Sequence, residues 1–228
     1  MERGTRRALV AVAVVGGVAL TTGLVIWAAR RRGGRFGRAA LPRSKGRVHA
    51  SGMTLTVYRQ ANLPIQQRVA IIQDLVHKGV RDPRMRKLAL EITHHCPARD
   101  GRCEARAVYD WVRRNVRYSG DIGPHRLPDG SVEPVDLFQS AARTVEFRAG
   151  DCDDSATLSS VLLLLNGIPA RLRITSRLPG RQDDFSHIFA VAGVPKTAPT
   201  DWLAVDSTLP GDNFGREAPY AKKADFPA

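Results

Sequence analysis

A cysteine, a histidine and an aspartate occur in an order that suits thiol chemistry. Cys152 lies in the run Ala149-Gly150-Asp151-Cys152-Asp153-Asp154-Ser155. Asp151 is placed to cap a helix by accepting hydrogen bonds from first-turn amides, and Asp153 and Asp154 suit the positive end of that helix. Cys152 then takes the first helical position. There, unpaired amides and the helix dipole stabilise a thiolate, and the same amides point to where an oxyanion would form. The neighbouring carboxylates oppose a thiolate, so the helix start alone does not suffice and a base is required.

Among six histidines, His187 has the best setting. It leads the alternating run His187-Ile188-Phe189-Ala190-Val191 and shares a face with Phe189 and Val191. In Trp202-Leu203-Ala204-Val205-Asp206, Asp206 shares a face with Trp202 and Ala204. If the two runs pair as a hairpin through residues 193–201, the Asp206 carboxylate can hold the His187 imidazole in the tautomer that faces a thiol. Nucleophile, base and orienting carboxylate are the parts that nucleophilic thiol catalysis needs. Each residue alone has a plainer reading: a packed cysteine, a surface histidine, a strand aspartate. Order and placement together favour the chemistry.

Tyr118 and Gln139 are the polar side chains upstream of Cys152 that could add an oxyanion donor, and either could equally be a packing or loop residue. His94-His95-Cys96 with Cys103 gives no zinc site. Adjacent helical residues point about 100° apart, and the spacing fits no zinc motif. No metal and no cofactor are expected. Cys96 and Cys103 read first as reduced thiols, or as a disulfide if the domain is extracytoplasmic.

The elements that must position these residues follow from periodicity. Apolar positions at helical spacing predict helices over 65–80, 83–95 and 102–118, and Cys152 to Leu165 reads as a strongly apolar helix stopped by Asn166-Gly167 and Pro169. Residues 121–135 read as a surface loop around Pro128-Asp129-Gly130-Ser131. Alternation predicts strands at 53–58, 170–175, 187–192 and 202–207. Helices first and an antiparallel sheet afterwards make an α+β layout.

Charge divides the chain. Residues 1–48 carry 11 Lys/Arg against Glu2, whereas the other 180 carry 24 Lys/Arg against 21 Asp/Glu. The net charge of +13 therefore belongs to the N-terminal segment, and nucleic acid is not an expected partner of the domain. Ala8 to Ala29 run for 22 positions without a charge, about 33 Å as a helix and enough to cross a hydrocarbon core of about 30 Å. The run ends in Arg30-Arg31-Arg32, and Trp27 stands where a signal-peptidase site needs a small residue. A retained single span is expected. Eight basic residues follow it and three arginines precede it, which favours a cytoplasmic domain. The expected organisation is a flank over 1–7, a transmembrane helix over 8–29, a basic tether over 30–48, a helical approach segment over 49–99 and a catalytic domain over 100–228.

Arg148-Ala149-Gly150-Asp151-Cys152-Asp153-Asp154-Ser155-Ala156, followed by Leu163-Leu164-Leu165-Asn166-Gly167-Ile168-Pro169-Ala170-Arg171, resembles the core of the bacterial and phage transglutaminase-like family. Ala107-Val108-Tyr109-Asp110-Trp111-Val112 with Val116-Arg117-Tyr118 resembles the helix before that core. Ser186-His187-Ile188-Phe189 and Trp202 to Thr208 match the family's His and Asp strands. The resemblance covers roughly residues 100–210. It implies a papain-like fold, Cys152, His187 and Asp206 as a triad, and acyl transfer through a thioester with a protein or peptide amide as substrate. Hydrolysis, cross-linking and a non-catalytic membrane-tethered binding module are the outcomes it leaves open, with hydrolysis preferred.

Overall fold

The structure is a computed structural model, and it describes residues 45–50, 53–58, 63–120, 125–126, 132–133, 136–177 and 185–228. The expected span over 8–29 and most of the tether lie outside the described residues. Among those described, no helix is long and apolar enough to cross a membrane.

Four helices surround a fifth. Helix α1 (Ile65–Gly79) buries Val69, Ile71, Ile72, Leu75 and Val76 on one side. Gly79 does more than end it: a Cβ there would come within 2.5 Å of Val161 Cγ2, so the helices it joins approach closer than any side chain allows. Helix α2 (Pro83–Thr93) starts at Asp82, whose side chain accepts from the Arg84 amide, with proline in the first turn. Helix α3 (Gly101–Asn115) starts at Asp100 and buries Ala105, Val108, Tyr109 and Val112. It ends three residues earlier than its apolar pattern suggests, because Arg117–Tyr118 leave it as strand β3.

Helix α4 (Ala141–Phe147) has no counterpart in the sequence reading. Ser140 caps it, and Arg148 closes it in the left-handed conformation at φ 53°. Helix α5 (Cys152–Leu165) is the centre of the fold, with every residue from Asp154 to Leu163 buried. A helix buried on every side must be enclosed, and α1 to α4 cover the sides that the sheet leaves.

The sheet beside it is antiparallel, in the order β10 (Asp201–Val205), β9 (His187–Val194), β8 (Ala170–Ser176), β11 (Lys222–Pro227). Strands β9 and β10 form the expected hairpin, in register from Asp201 opposite Val194 to Val205 opposite Ala190. Alternation sends Leu172, Ile174, Ile188, Ala190, Ala192, Val205 and Phe226 into the main core. Phe189, Val191 and Ala204, with Trp202, form a second small cluster on the other face.

The remaining strands are short or peripheral. Strands β1 (Lys45–Ala50) and β2 (Met53–Tyr58) pair with each other, and β2 pairs with β6 (Asp136–Leu137). Strand β1 thus begins inside the stretch read as tether. Two-residue strands β4 (His125–Arg126) and β5 (Val132–Glu133) pair within the expected loop. Strand β7 (Ala149–Gly150) runs parallel to β3.

Cys96 and Cys103, read first as reduced thiols, form a disulfide with Cα atoms 5.7 Å apart. It ties the end of α2 to the start of α3. Near it, Thr93 Oγ1 donates to Asn166 Oδ1 at 2.8 Å, and Lys196 Nζ donates to the Asn166 carbonyl at 2.9 Å. These contacts anchor the end of α5 opposite Cys152. With a sequence separation of seven, loop-closure entropy assigns the bond about 2.5 kcal/mol. Cys96→Ser with Cys103→Ser is expected to lower unfolding free energy by about that much in urea melts. An unchanged midpoint would count against a structural role.

Candidate active site

Cys152 is the first residue of α5, and Asp151 caps the helix as the sequence suggests. The Asp151 Oδ1 accepts from the amides of Asp153 at 3.1 Å and Asp154 at 3.4 Å. The approach to the helix is set by the parallel β3–β7 pair. The Arg117 amide donates to the Arg148 carbonyl at 2.9 Å and the Ser119 amide to the Gly150 carbonyl at 3.0 Å. Tyr118 is thereby placed opposite Gly150, with 59% of its surface exposed.

Asp154 is buried, and Gln139 donates to both of its carboxylate oxygens. Its Oδ1 accepts from the Gln139 amide at 2.7 Å and its Oδ2 from Gln139 Nε2 at 2.5 Å. Gln139 Nε2 also donates to the Ala149 carbonyl at 3.2 Å. The Gln139 side-chain amide nitrogen is therefore spent on bracing the turn before the cysteine. Gly150 belongs to the same construction, since a Cβ there would lie 2.7 Å from Asp154 Cβ and Oδ2. The Gly-Asp-Cys-Asp-Asp run is thus a packing unit as well as the turn that presents Cys152.

His187 opens β9 opposite Thr175, and its ring lies 5.5 Å from that of Phe189. Its Nε2 meets Asp206 Oδ2 at 2.6 Å. Asp206 follows β10 directly and is 2% exposed. Its Oδ1 accepts from the Thr208 amide at 3.1 Å and from Thr208 Oγ1 at 2.7 Å. Thr208 thus fixes one carboxylate oxygen and aims the other at the imidazole. The sequence reading assigned Thr208 no role, although an Asp followed two residues later by a hydroxyl is an Asx-turn signal.

The electrostatics link the three residues. Burial works against a charged His187, but hydrogen bonds to Asp206 and to the Cys152 side chain outweigh it and raise the imidazole pKa to about 9. With Nε2 on Asp206, Nδ1 is the nitrogen left to serve the thiol. All three residues singled out in the sequence are therefore brought together.

The flanking carboxylates differ from their sequence-level description. Burial, reinforced by Asp151, raises Asp154 to about 7 against the opposing Gln139 hydrogen bonds. Burial and the contact with Asp151 also push Asp153 well above the usual carboxylate range. A neutral carboxyl repels a neighbouring thiolate far less than a carboxylate does.

Asp151, Asp153 and Asp154 each offer an oxygen within 4.8 Å of the others, and Asp153 Oδ1 is buried without a hydrogen-bond partner. Among the described residues this is the oxygen set that could hold a hard cation. The other cluster, His95 with Cys96 and Cys103, has both sulfurs committed to the disulfide.

The pKa of His187 has a measurable consequence. A folded-state pKa raised from 6.5 to about 9 means that the imidazolium stabilises the fold fully below about pH 6.5, and that this stabilisation is lost as pH rises through about 9. An NMR titration of the His187 ring is expected to show a midpoint near 9. In Asp206→Asn the midpoint should fall, because burial then has less to oppose it. A midpoint at or below 6.5 in the unsubstituted chain would refute the coupling.

Cys152 thus starts the central helix, and His187 meets the buried Asp206 across the β9–β10 hairpin. The transglutaminase-like superfamily profile matches residues 86–207, more than half of the sequence. The chain belongs to the transglutaminase-like superfamily. Comparison with curated proteins finds no match. Among solved structures, a candidate cysteine protease from Cytophaga hutchinsonii is 23% identical, with a TM-score of 0.41 over 68% of this chain and 49% of that one. A candidate protease from Parabacteroides distasonis is 12% identical, with a TM-score of 0.41 over 71% of this chain and 38% of that one. Calcium-bound LapG from Legionella pneumophila is 18% identical, with a TM-score of 0.30 over 65% of this chain and 67% of that one. The chain thus spans about half or less of the first two of these structures.

Proposed function

We propose that this chain is a membrane-anchored thiol enzyme that cleaves a protein or peptide amide through a thioester on Cys152. The observation that carries the reading is the 2.6 Å contact between His187 Nε2 and the buried Asp206, with Cys152 at the start of the central helix. His187 takes the Cys152 proton, and the thiolate attacks the amide carbonyl. Amides at the start of α5 stabilise the oxyanion. His187 then returns the proton to the leaving amine, and a water activated by the same imidazole hydrolyses the thioester. Asp206 keeps the ring oriented throughout. An amine in place of water would turn the same intermediate into a cross-link, so the two outcomes share every residue named here.

Iodoacetamide tests the nucleophile without a known substrate. Cys152 is the free cysteine, since Cys96 and Cys103 are paired. It is expected to alkylate near neutral pH much faster than a free thiol of pKa about 8.5. A rate no faster than that of a small free thiol would favour the non-catalytic binding module instead.

Anchoring rests on the uncharged run from Ala8 to Ala29. Basic residues after that run favour a cytoplasmic domain, whereas a disulfide favours an oxidising compartment. The disulfide is the stronger argument, because Arg3, Arg6 and Arg7 can hold their own side of the span inside. On that basis the extracytoplasmic face is the proposed location of the domain. Full-length chain should resist extraction by alkaline carbonate, and release by carbonate would replace the span with peripheral binding.

A further inference from the structure

An open cleft of about 500 Å³ is lined by Arg177, Pro219, Tyr220 and Ala221. We propose that this cleft is a subsite for an acidic residue, glutamate in particular, of the polypeptide substrate. The proposal rests on the reading of Cys152 as the nucleophile and adds to it a substrate class.

Position comes first. His187 pairs with Thr175 on β8, and the Ser186 amide donates to the Thr175 carbonyl at 3.1 Å. The Ala221 amide donates to the carbonyl of the next β8 residue, Ser176, at 2.8 Å, and Arg177 follows it. The cleft therefore opens about two residues, or about 7 Å, beyond the strand position that faces His187. An extended substrate rises about 3.3–3.6 Å per residue. A side chain within a few positions of the reacting carbonyl reaches that far.

Charge and shape come next. Arg177 is exposed, and its guanidinium makes no ion pair or hydrogen bond among the described residues. Lys223 Nζ stands 4.9 Å over the Tyr220 ring. Lys222, on the neighbouring position of β11, packs its ammonium 4.8 Å over the Phe185 ring, buried and without a hydrogen-bond partner. Among the described residues nearby, Glu217 is already committed to Arg173 at 2.5 Å and to Lys223 at 3.7 Å. Arg177 is thus the charged side chain among the described residues that line the cleft. A guanidinium fork pairs with a carboxylate through two parallel hydrogen bonds. Pro219 and Tyr220 offer an apolar wall to the methylenes that carry a glutamate carboxylate, whereas a lysine would meet like charge.

The test uses full-length protein in detergent and matched peptides ending in a vinyl sulfone, with Glu, Gln or Lys at each of the three positions before the warhead. The rate of Cys152 labelling is read by mass spectrometry. At one position Glu is expected to exceed Gln by about tenfold, the worth of one charge-assisted hydrogen bond, and Lys to fall below Gln. Arg177→Glu should invert that order. Equal rates for Glu and Lys at every position, or a Glu preference that survives Arg177→Glu, would overturn the proposal. The same peptides without the warhead, titrated calorimetrically into the full chain, should follow the same order in affinity. If iodoacetamide leaves Cys152 unmodified, the nucleophile reading fails. The subsite is then still judged by that titration, where equal affinities for the Glu and Lys peptides reject it.

Discussion

Asp206→Asn is expected to leave the fold intact and to reduce turnover by up to about 10⁴-fold, the loss seen when a triad carboxylate is neutralised. The reason lies in the two oxygens of Asp206. One is fixed by Thr208 and the other accepts from His187. An asparagine can keep the Thr208 contact through its carbonyl, so the loop after β10 has no cause to move. Its amide nitrogen would then face His187 Nε2 as a donor and force the imidazole into the tautomer with its proton on the thiol side. The base is lost while the geometry survives. His187→Ala removes the base altogether, and Cys152 alkylation should slow by about 10²–10⁴-fold. Both variants can be read with p-nitrophenyl acetate, whose acyl group needs only a competent thiolate and a route to water. Acetylation of Cys152 at an unchanged rate in both variants would remove His187 and Asp206 from the mechanism.

The parts of this site that the sequence made legible are those set by local rules. A carboxylate one residue before an apolar run caps a helix, and so Asp151 located Cys152 at the helix start. Strict alternation with a turn between two runs gave the β9–β10 hairpin, and with it the shared face of His187 and Asp206. What stayed hidden depends on distant segments. The β3–β7 pair is two residues long on each side, too short for any periodicity, and it joins segments about 30 residues apart in the chain, with α4 between them. Gln139 looked like a free donor because its partner, Asp154, lies 15 residues away. The disulfide was open to either reading until the ends of α2 and α3 were found adjacent. The C-terminal strand β11, with its mixture of lysine, aspartate and one phenylalanine, has no pattern that separates it from a loop.

Arg173 shows the same limit and carries the largest expected effect on stability. In the alternating run Ala170 to Thr175 its position reads as the solvent side of a half-buried strand. Instead, β11 pairs beside it with Asp225 directly opposite, and the connection between β10 and β11 folds over that face. Arg173 is left only 6% exposed. Its Nε and Nη2 donate to Asp225 Oδ1 and Oδ2 at 2.6 and 2.7 Å, and Nη1 donates to Glu217 at 2.5 Å. The guanidinium gathers two carboxylates that would otherwise repel each other under the covering segment. Removing one partner of a buried ion pair costs about 3–5 kcal/mol, since the other partner keeps its desolvation without compensation. Asp225 and Glu217 keep side-chain exposures of 24% and 21%, so the lower end of that range applies. Arg173→Ala is accordingly expected to lower unfolding free energy by about 3 kcal/mol in urea. Arg173→Lys should recover only part of it, because an ammonium cannot fork onto Asp225. Adding Asp225→Asn and Glu217→Gln to Arg173→Ala should restore some stability by removing the stranded charges. Arg173 also pairs with Phe189 across β8 and β9, and the Phe189 ring lies against His187. Loosening this face should therefore widen the His187 resonance before the chain unfolds. A loss below about 1 kcal/mol for Arg173→Ala, within the range of an exposed pair, would mean that the covering segment does not seal the network.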